Sequence, residues 1–233
     1  MVGERALLVV SPGGVGTTYT MQALARGLTG SGWVMNRVGD EDNLKHALPG
    51  PATWRRAAGW CARGDDGAAE VWCGGSLRSA PERILYLSGD PATAVRSHFR
   101  RGTARHTYAA IHGSRLPPPW PFDNYTAYVA ATDATPTDAP DLFGIEAHLQ
   151  AWATVLPRPA PILFTTLPHL AAHPEVLRAF LDLPPIASFD LSVHPPSAAT
   201  AAFAAVETPA YAARMARLAA RLAAYTGRIL PAT

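Results

Sequence analysis

The stretch Gly13-Gly14-Val15-Gly16-Thr17-Thr18 sets three glycines and two hydroxyls between an apolar run and a helix-like segment. In a strand–turn–helix setting this composition suits an anion. Backbone N–H groups at a helix start and the positive end of the helix dipole favour negative charge, and glycines let a phosphate approach the main chain. Gly13, Gly14, Val15, Gly16, Thr17 and Thr18 are therefore the expected phosphate-binding set; a tight turn with no ligand is the plainer reading. The P-loop of ATP- and GTP-binding enzymes needs a lysine directly after its last glycine to reach the terminal phosphates. Thr17 stands there instead. Asp90, just past the run RILYL, would imitate the metal-side carboxylate of such enzymes, as any apolar strand ending in Asp does.

The cationic candidates are few. Nineteen of the twenty basic residues are arginine and the other is Lys45, next to His46. In that background a lysine points to a place where a planar guanidinium does not serve; a surface lysine that escaped the arginine bias is the alternative. Ser97, Arg100 and Arg101 fall on one expected helix, and Arg101, four residues after Ser97, shares its face. His98, His106, His112, His148, His169, His173 and His194 are scattered without metal-site spacing, so no metal is expected.

The elements that would carry these residues alternate. Strands are expected over 5–10, 33–38, 83–87 and 161–165, and helices over 17–30, 92–101, 145–155, 175–181 and 209–226. The second strand enters an acidic turn, Asp40-Glu41-Asp42, and residues 48–81, rich in Pro, Gly and Trp, receive no assignment. A lid-like loop is expected near 102–141, with Pro117, Pro118 and Pro119 inside it; its Trp120, Phe122, Tyr125 and Tyr128 either wall an acceptor pocket or anchor the loop. Arg214, Arg217 and Arg221 form a basic stripe on the last helix, expected to be its solvated face. The pattern implies an α/β fold: three layers, a mostly parallel central sheet flanked by helices, in a single domain over 1–233.

Composition narrows the function. Of 233 residues, 48% are hydrophobic and 16% charged, which excludes disorder. A net charge of +2 gives no overall field for nucleic acid. Cys61 and Cys73 are too few for a disulfide scaffold. No apolar run approaches the roughly 20 residues of a membrane span, and no leader pattern is seen. The expectation is a cytoplasmic protein with neither membrane nor nucleic-acid partner.

Three ordered segments resemble the sulfotransferase superfamily, whose members use 3′-phosphoadenosine 5′-phosphosulfate (PAPS). SPGGVGTTYTMQAL resembles the loop that holds the 5′-phosphosulfate. ILYLSGDPATAVRSHFRR resembles the 3′-phosphate segment, with Ser97 as its serine. HLQAW with PILFTTLPHLAAHPEVLRAFLDLP resembles the tryptophan helix and the strand and helix that follow it. LKH at 44–46, YLSGDP and DLFGIEAHLQAW are similar to a little-characterised sulfotransferase-like group with a GGVGTT loop. Two positions depart from the family. The loop's usual Lys or Arg is Gly14, and the arginine eight residues before the serine is Gly89.

The resemblance implies a P-loop-like sulfotransferase fold and sulfuryl transfer from PAPS, without a metal, to a hydroxyl or amine of a small-molecule or glycan acceptor. Lys45 would supply the cation absent at Gly14, and His46 would take the acceptor proton, with His106 as a second choice. Ser97, Arg100 and Arg101 would hold the 3′-phosphate. A nucleotide-binding protein of this fold without transfer activity, and an ATP- or GTP-dependent P-loop enzyme such as a small-molecule kinase, are the alternatives.

Overall fold

Arg5–Val10 (β1) and Arg83–Ser88 (β3) lie side by side and parallel at the centre of the sheet, and both are apolar along nearly their whole length. That is the pattern of strands covered on both faces. The computed structural model describes residues 5–36, 44–51, 53, 81–113, 120–185, 187, 189–191 and 202–233. The acidic turn at 40–42, most of 48–81, Pro117 to Pro119, Cys61, Cys73 and His194 lie outside them.

After β1 come α1 (Thr17–Gly27), β2 (Trp33–Met35), β3 and α2 (Pro91–Arg100). Then follow α3 (Ala104–Ile111), α4 (Tyr125–Ala134), α5 (Ile145–Thr154), β4 (Ile162–Thr166), α6 (Leu167–Ala172) and α7 (Pro174–Phe180). A 3-10 turn at Phe203–Val206, α8 (Pro209–Ala223) and β5 (Ile229–Leu230) complete the order. The sheet runs β2-β1-β3-β4-β5, with the first four strands parallel and β5 antiparallel to β4.

The period-two alternation of side chains sorts the core into two layers. Leu7, Val9, Leu85, Leu87 and Leu163 pack with Met21 and Leu24 of α1 and Leu170 and Leu177 of α6 and α7. Leu8, Val10, Ile84, Tyr86 and Phe164 pack with Val95 of α2, Val129 of α4, Trp152 of α5 and Met215 of α8. The expected α/β architecture, a mostly parallel sheet between helical layers, is present. From β1 the chain moves outward to β2, then returns to place β3 on the opposite side of β1 and continues to β4. The winding therefore reverses between β1 and β3, and a crevice opens there at the carboxyl ends of the strands.

Two expectations are corrected. Residues 102–141 carry α3 and α4 rather than a long loop. Asn124 caps α4 by accepting the Ala127 N–H at 2.9 Å, and Tyr125, Tyr128 and Val129 bury its inner face. The neighbouring prolines hid this helix. Arg214 is not on a solvated face: it is buried, and its guanidinium donates to the carbonyls of Thr135, Pro136 and Ala139 at 2.9–3.0 Å. A planar fork of donors suits the bare carbonyls where α4 ends. Among the described residues no helix is long and apolar enough to cross a membrane.

Candidate functional site

Ser11, the first residue past β1, is fully buried and organises the site. Its Oγ accepts the Gly13 N–H at 2.7 Å and shares a hydrogen bond with Thr17 Oγ1 at 2.6 Å, which folds the turn back onto the start of α1. Its N–H donates to the Lys45 carbonyl at 2.6 Å, and its own carbonyl accepts from His46 Nδ1 at 2.8 Å. One serine thus ties the glycine turn to the Lys45-His46 turn. Sequence reading missed it, because a serine after a strand carries no signal of its own.

The glycines are required by conformation. Gly13, Gly14 and Gly16 have φ of 82°, 70° and 81°, in the left-handed region. Gly16 is the N-cap of α1 and offers no side chain to the first turn, so the helix start faces outward without a side-chain acceptor. A Cβ at Gly13 would stand 2.5 Å from His46 Cε1 and 2.8 Å from His98 Nε2. At Gly14 it would strike the Ala94 backbone of α2, 2.6 Å from Cα. At Gly89 it would stand 2.9 Å from Val15 Cβ. The two positions where a sulfotransferase-like chain carries a cation are therefore filled by close packing between the turn and the start of α2.

The Lys45-His46 turn is fastened from behind. Leu44 is buried and holds φ 58°, which a branched side chain rarely adopts. The Ala47 carbonyl accepts from Trp152 Nε1 at 3.0 Å and faces His148 Nε2 at 3.2 Å, both on α5. Tyr86 of β3 lies 2.9 Å from the other His148 nitrogen. The HLQAW segment thus holds the turn that presents Lys45 and His46.

From α2 and its C-cap, Ser97, His98, Arg100 and Arg101 reach the same place. A cavity of about 490 Å³ opens between this helix, the glycine turn and the Lys45-His46 turn. Gly13, Gly14, Gly16, Thr17 and Thr18 line it, together with Lys45, His46, Ser97, Arg100 and Arg101. Val15 does not; it packs against Gly89 and the core. His98, Thr103 and Thr107 line the cavity although no residue type or spacing singles them out, and His106 stands there too. Trp120, Phe122, Tyr125 and Tyr128 are not among the lining residues; Phe122, Tyr125 and Tyr128 are buried, and Trp120 packs on Phe99 and Tyr108.

The electrostatics are one-sided. Among the described lining residues there is no carboxylate. Burial, with Arg101 nearby, lowers the Lys45 ammonium from its ordinary value. Burial and Arg100 lower Arg101. His46 is driven well below the ordinary histidine value by burial, against the opposing hydrogen bond to the Ser11 carbonyl. His98 falls to about 3 through burial and then Arg101. Cations crowded together and partly desolvated are stabilised by an anion placed among them. Asp90, in contrast, caps α2 by accepting the Thr93 N–H at 2.7 Å and is not part of the lining.

No known protein family matches the chain, and no curated protein or solved structure does so either.

Proposed function

We propose that this chain binds PAPS and transfers its sulfuryl group to a hydroxyl or amine of a small-molecule or glycan acceptor. The observation that carries this reading is the convergence, in one cavity at the β1/β3 switch point whose described lining holds no carboxylate, of the glycine turn, the start of α1, Lys45, His46, Ser97 and Arg101. A dianionic end and a second phosphate on one small ligand match that donor set. The ordered resemblance of the three segments to sulfotransferases narrows the anion to PAPS.

PAPS, when bound, supplies the activated sulfuryl group. The glycine turn and the first turn of α1 would hold its phosphosulfate through main-chain N–H groups. Lys45 and Arg101 replace the charge that Gly14 and Gly89 cannot carry, and Ser97 with Arg100 stands on the helix expected to meet the 3′-phosphate. His46 donates from Nδ1 to the Ser11 carbonyl, so Nε2 keeps its lone pair. Burial keeps that ring neutral at pH 7, in the form that accepts a proton from the acceptor group. Asp90, the carboxylate that the kinase alternative would set beside a metal, is engaged as a helix cap and lies outside the cavity lining.

Calorimetric titration of 3′-phosphoadenosine 5′-phosphate (PAP), the product of transfer, tests the reading, with Mg²⁺-ATP in parallel. Micromolar PAP binding without Mg²⁺, and sulfuryl transfer lost in Lys45→Ala and His46→Ala, is the expected result. Absence of PAP binding overturns it. Full activity in both variants overturns the roles given to these two residues.

A further inference from the structure

His98 lies on α2 directly beneath the glycine turn, 2% exposed and stacked on Phe143 with ring centroids 5.6 Å apart. Its two nitrogens meet different surroundings. Nδ1 faces the Arg101 guanidinium (Nη2) at 3.4 Å and the hydroxyls of Thr107 and Thr103 at 3.1 and 3.2 Å. A guanidinium only donates and a hydroxyl can do either, so Nδ1 is the lone-pair nitrogen and the ring proton sits on Nε2. Nε2 is buried and faces the Pro12 and Gly13 carbonyls, yet makes no hydrogen bond of good geometry to either. His46, 6.2 Å away and edge to face, is the reverse: its Nδ1 meets the Ser11 carbonyl, which can only accept.

We propose that His98 is a positioning residue of the anion site: a neutral imidazole, protonated on Nε2, that aims this N–H at the carbonyl side of the Pro12-Gly13 segment and leaves the amide side of the turn to the ligand. Arg101 lines the cavity and touches Nδ1, so an anion that engages Arg101 is felt at the His98 ring. The two histidines then divide the work by tautomer, His46 accepting and His98 donating. The identity of the ligand as PAP rests on the proposed function; the tautomer rests on the neighbours of His98 alone.

Long-range ¹⁵N–¹H spectra of the full chain read the tautomers directly. The expected free-state pattern is a protonated Nε2 on His98 and a protonated Nδ1 on His46, with the His98 nitrogens shifting on addition of PAP. His98→Phe keeps the ring stack and removes the donor, and should bind PAP about tenfold more weakly. His98→Gln places an amide N–H near the Nε2 position and should bind within about threefold of wild type, at a similar melting temperature to the Phe variant. That rescue separates positioning from general stability. A proton on His98 Nδ1, or wild-type affinity in His98→Phe, overturns the proposal; should the Phe variant not fold, the spectrum and the Gln variant decide. If wild type binds no PAP, the PAPS reading fails, and the same titrations with inorganic pyrophosphate decide the role of His98. Pyrophosphate binding weakened by Phe and restored by Gln supports it, while equal binding, or none, overturns it.

Discussion

Gly14 rests on the backbone of Ala94, so close that a Cβ there would fall 2.6 Å from Ala94 Cα and closer still to its carbonyl oxygen. The obstacle is main chain, which no rotamer change removes. The position also holds φ 70°, where a side chain costs about 1–2 kcal/mol. Placing a cation there as Gly14→Lys should therefore lower stability by about 2–4 kcal/mol without tightening PAP binding. Thermal unfolding and calorimetry on the variant check this. An unchanged melting temperature with stronger PAP binding would show that the packing argument is wrong.

Gly89 differs in kind, because what a Cβ would meet there is the Val15 side chain, with Cβ and Cγ1 both at 2.9 Å. Its φ lies outside the left-handed region, so the cost of Gly89→Ala is steric. The variant should lose about 1–3 kcal/mol. In the Val15→Gly background most of that loss should vanish. A double-mutant cycle read by denaturant unfolding measures the coupling, expected to exceed about 1 kcal/mol. Strict additivity would place the strain elsewhere.

Ser11→Ala leaves the Lys45 carbonyl and the His46 ring on their main-chain partners but strips the buried Gly13 N–H and the Thr17 hydroxyl of theirs. Leaving a buried donor unsatisfied costs about 1–3 kcal/mol. The larger effect is expected on binding, since the turn loses its anchor to α1. PAP affinity should fall at least about tenfold, more than in Thr17→Val, which removes one hydroxyl only. Equal affinities in the two variants would mean that Ser11 does not organise the turn.

The four parallel strands and five of the helices were legible, though not the short β5, because apolar runs, proline starts and turn glycines are local signals: β3 and α2 follow from RILYLS and from Asp90-Pro91. Gly13, Gly16, Lys45 and Ser97 could likewise be chosen by type and place in the alternation. What could not be read depends on tertiary contact. The burial of His98 arises from a helix face laid beneath a turn eighty residues earlier, and neither spacing nor composition encodes it. The same holds for Ser11, whose partners at Thr17 and His46 meet only after β1 and the 44–47 turn are side by side. Arg214 looked solvated because its sequence neighbours are, while the carbonyls that receive it belong to α4 and the segment after it. The glycines at 14 and 89 read as losses of charge, and only the close approach of the turn to α2 shows what they permit.

Three histidines make the stability of this protein acid-sensitive. Burial takes His98 from the ordinary 6.5 to about 3 and His148 to about 4, and pushes His46 well down as well. Each is neutral when folded and becomes protonated on unfolding once the pH drops below 6.5. The unfolded state then binds more protons than the native state, so stability rises with pH through this window and is lost as pH falls. Asp141, raised by burial, acts in the opposite direction, favouring the folded state as pH falls through its raised value. Between pH 6.5 and 5 unfolding should take up about two to three protons, each worth roughly 1.4 kcal/mol per pH unit. Calorimetric melts at pH 7.5, 6.0 and 5.0 measure the slope. His98→Gln, which cannot titrate, should flatten it by about one proton. A slope that is flat in wild type, or unchanged in His98→Gln, would mean that His98 is charged inside the folded protein, and the donor tautomer assigned to it would fall with that result.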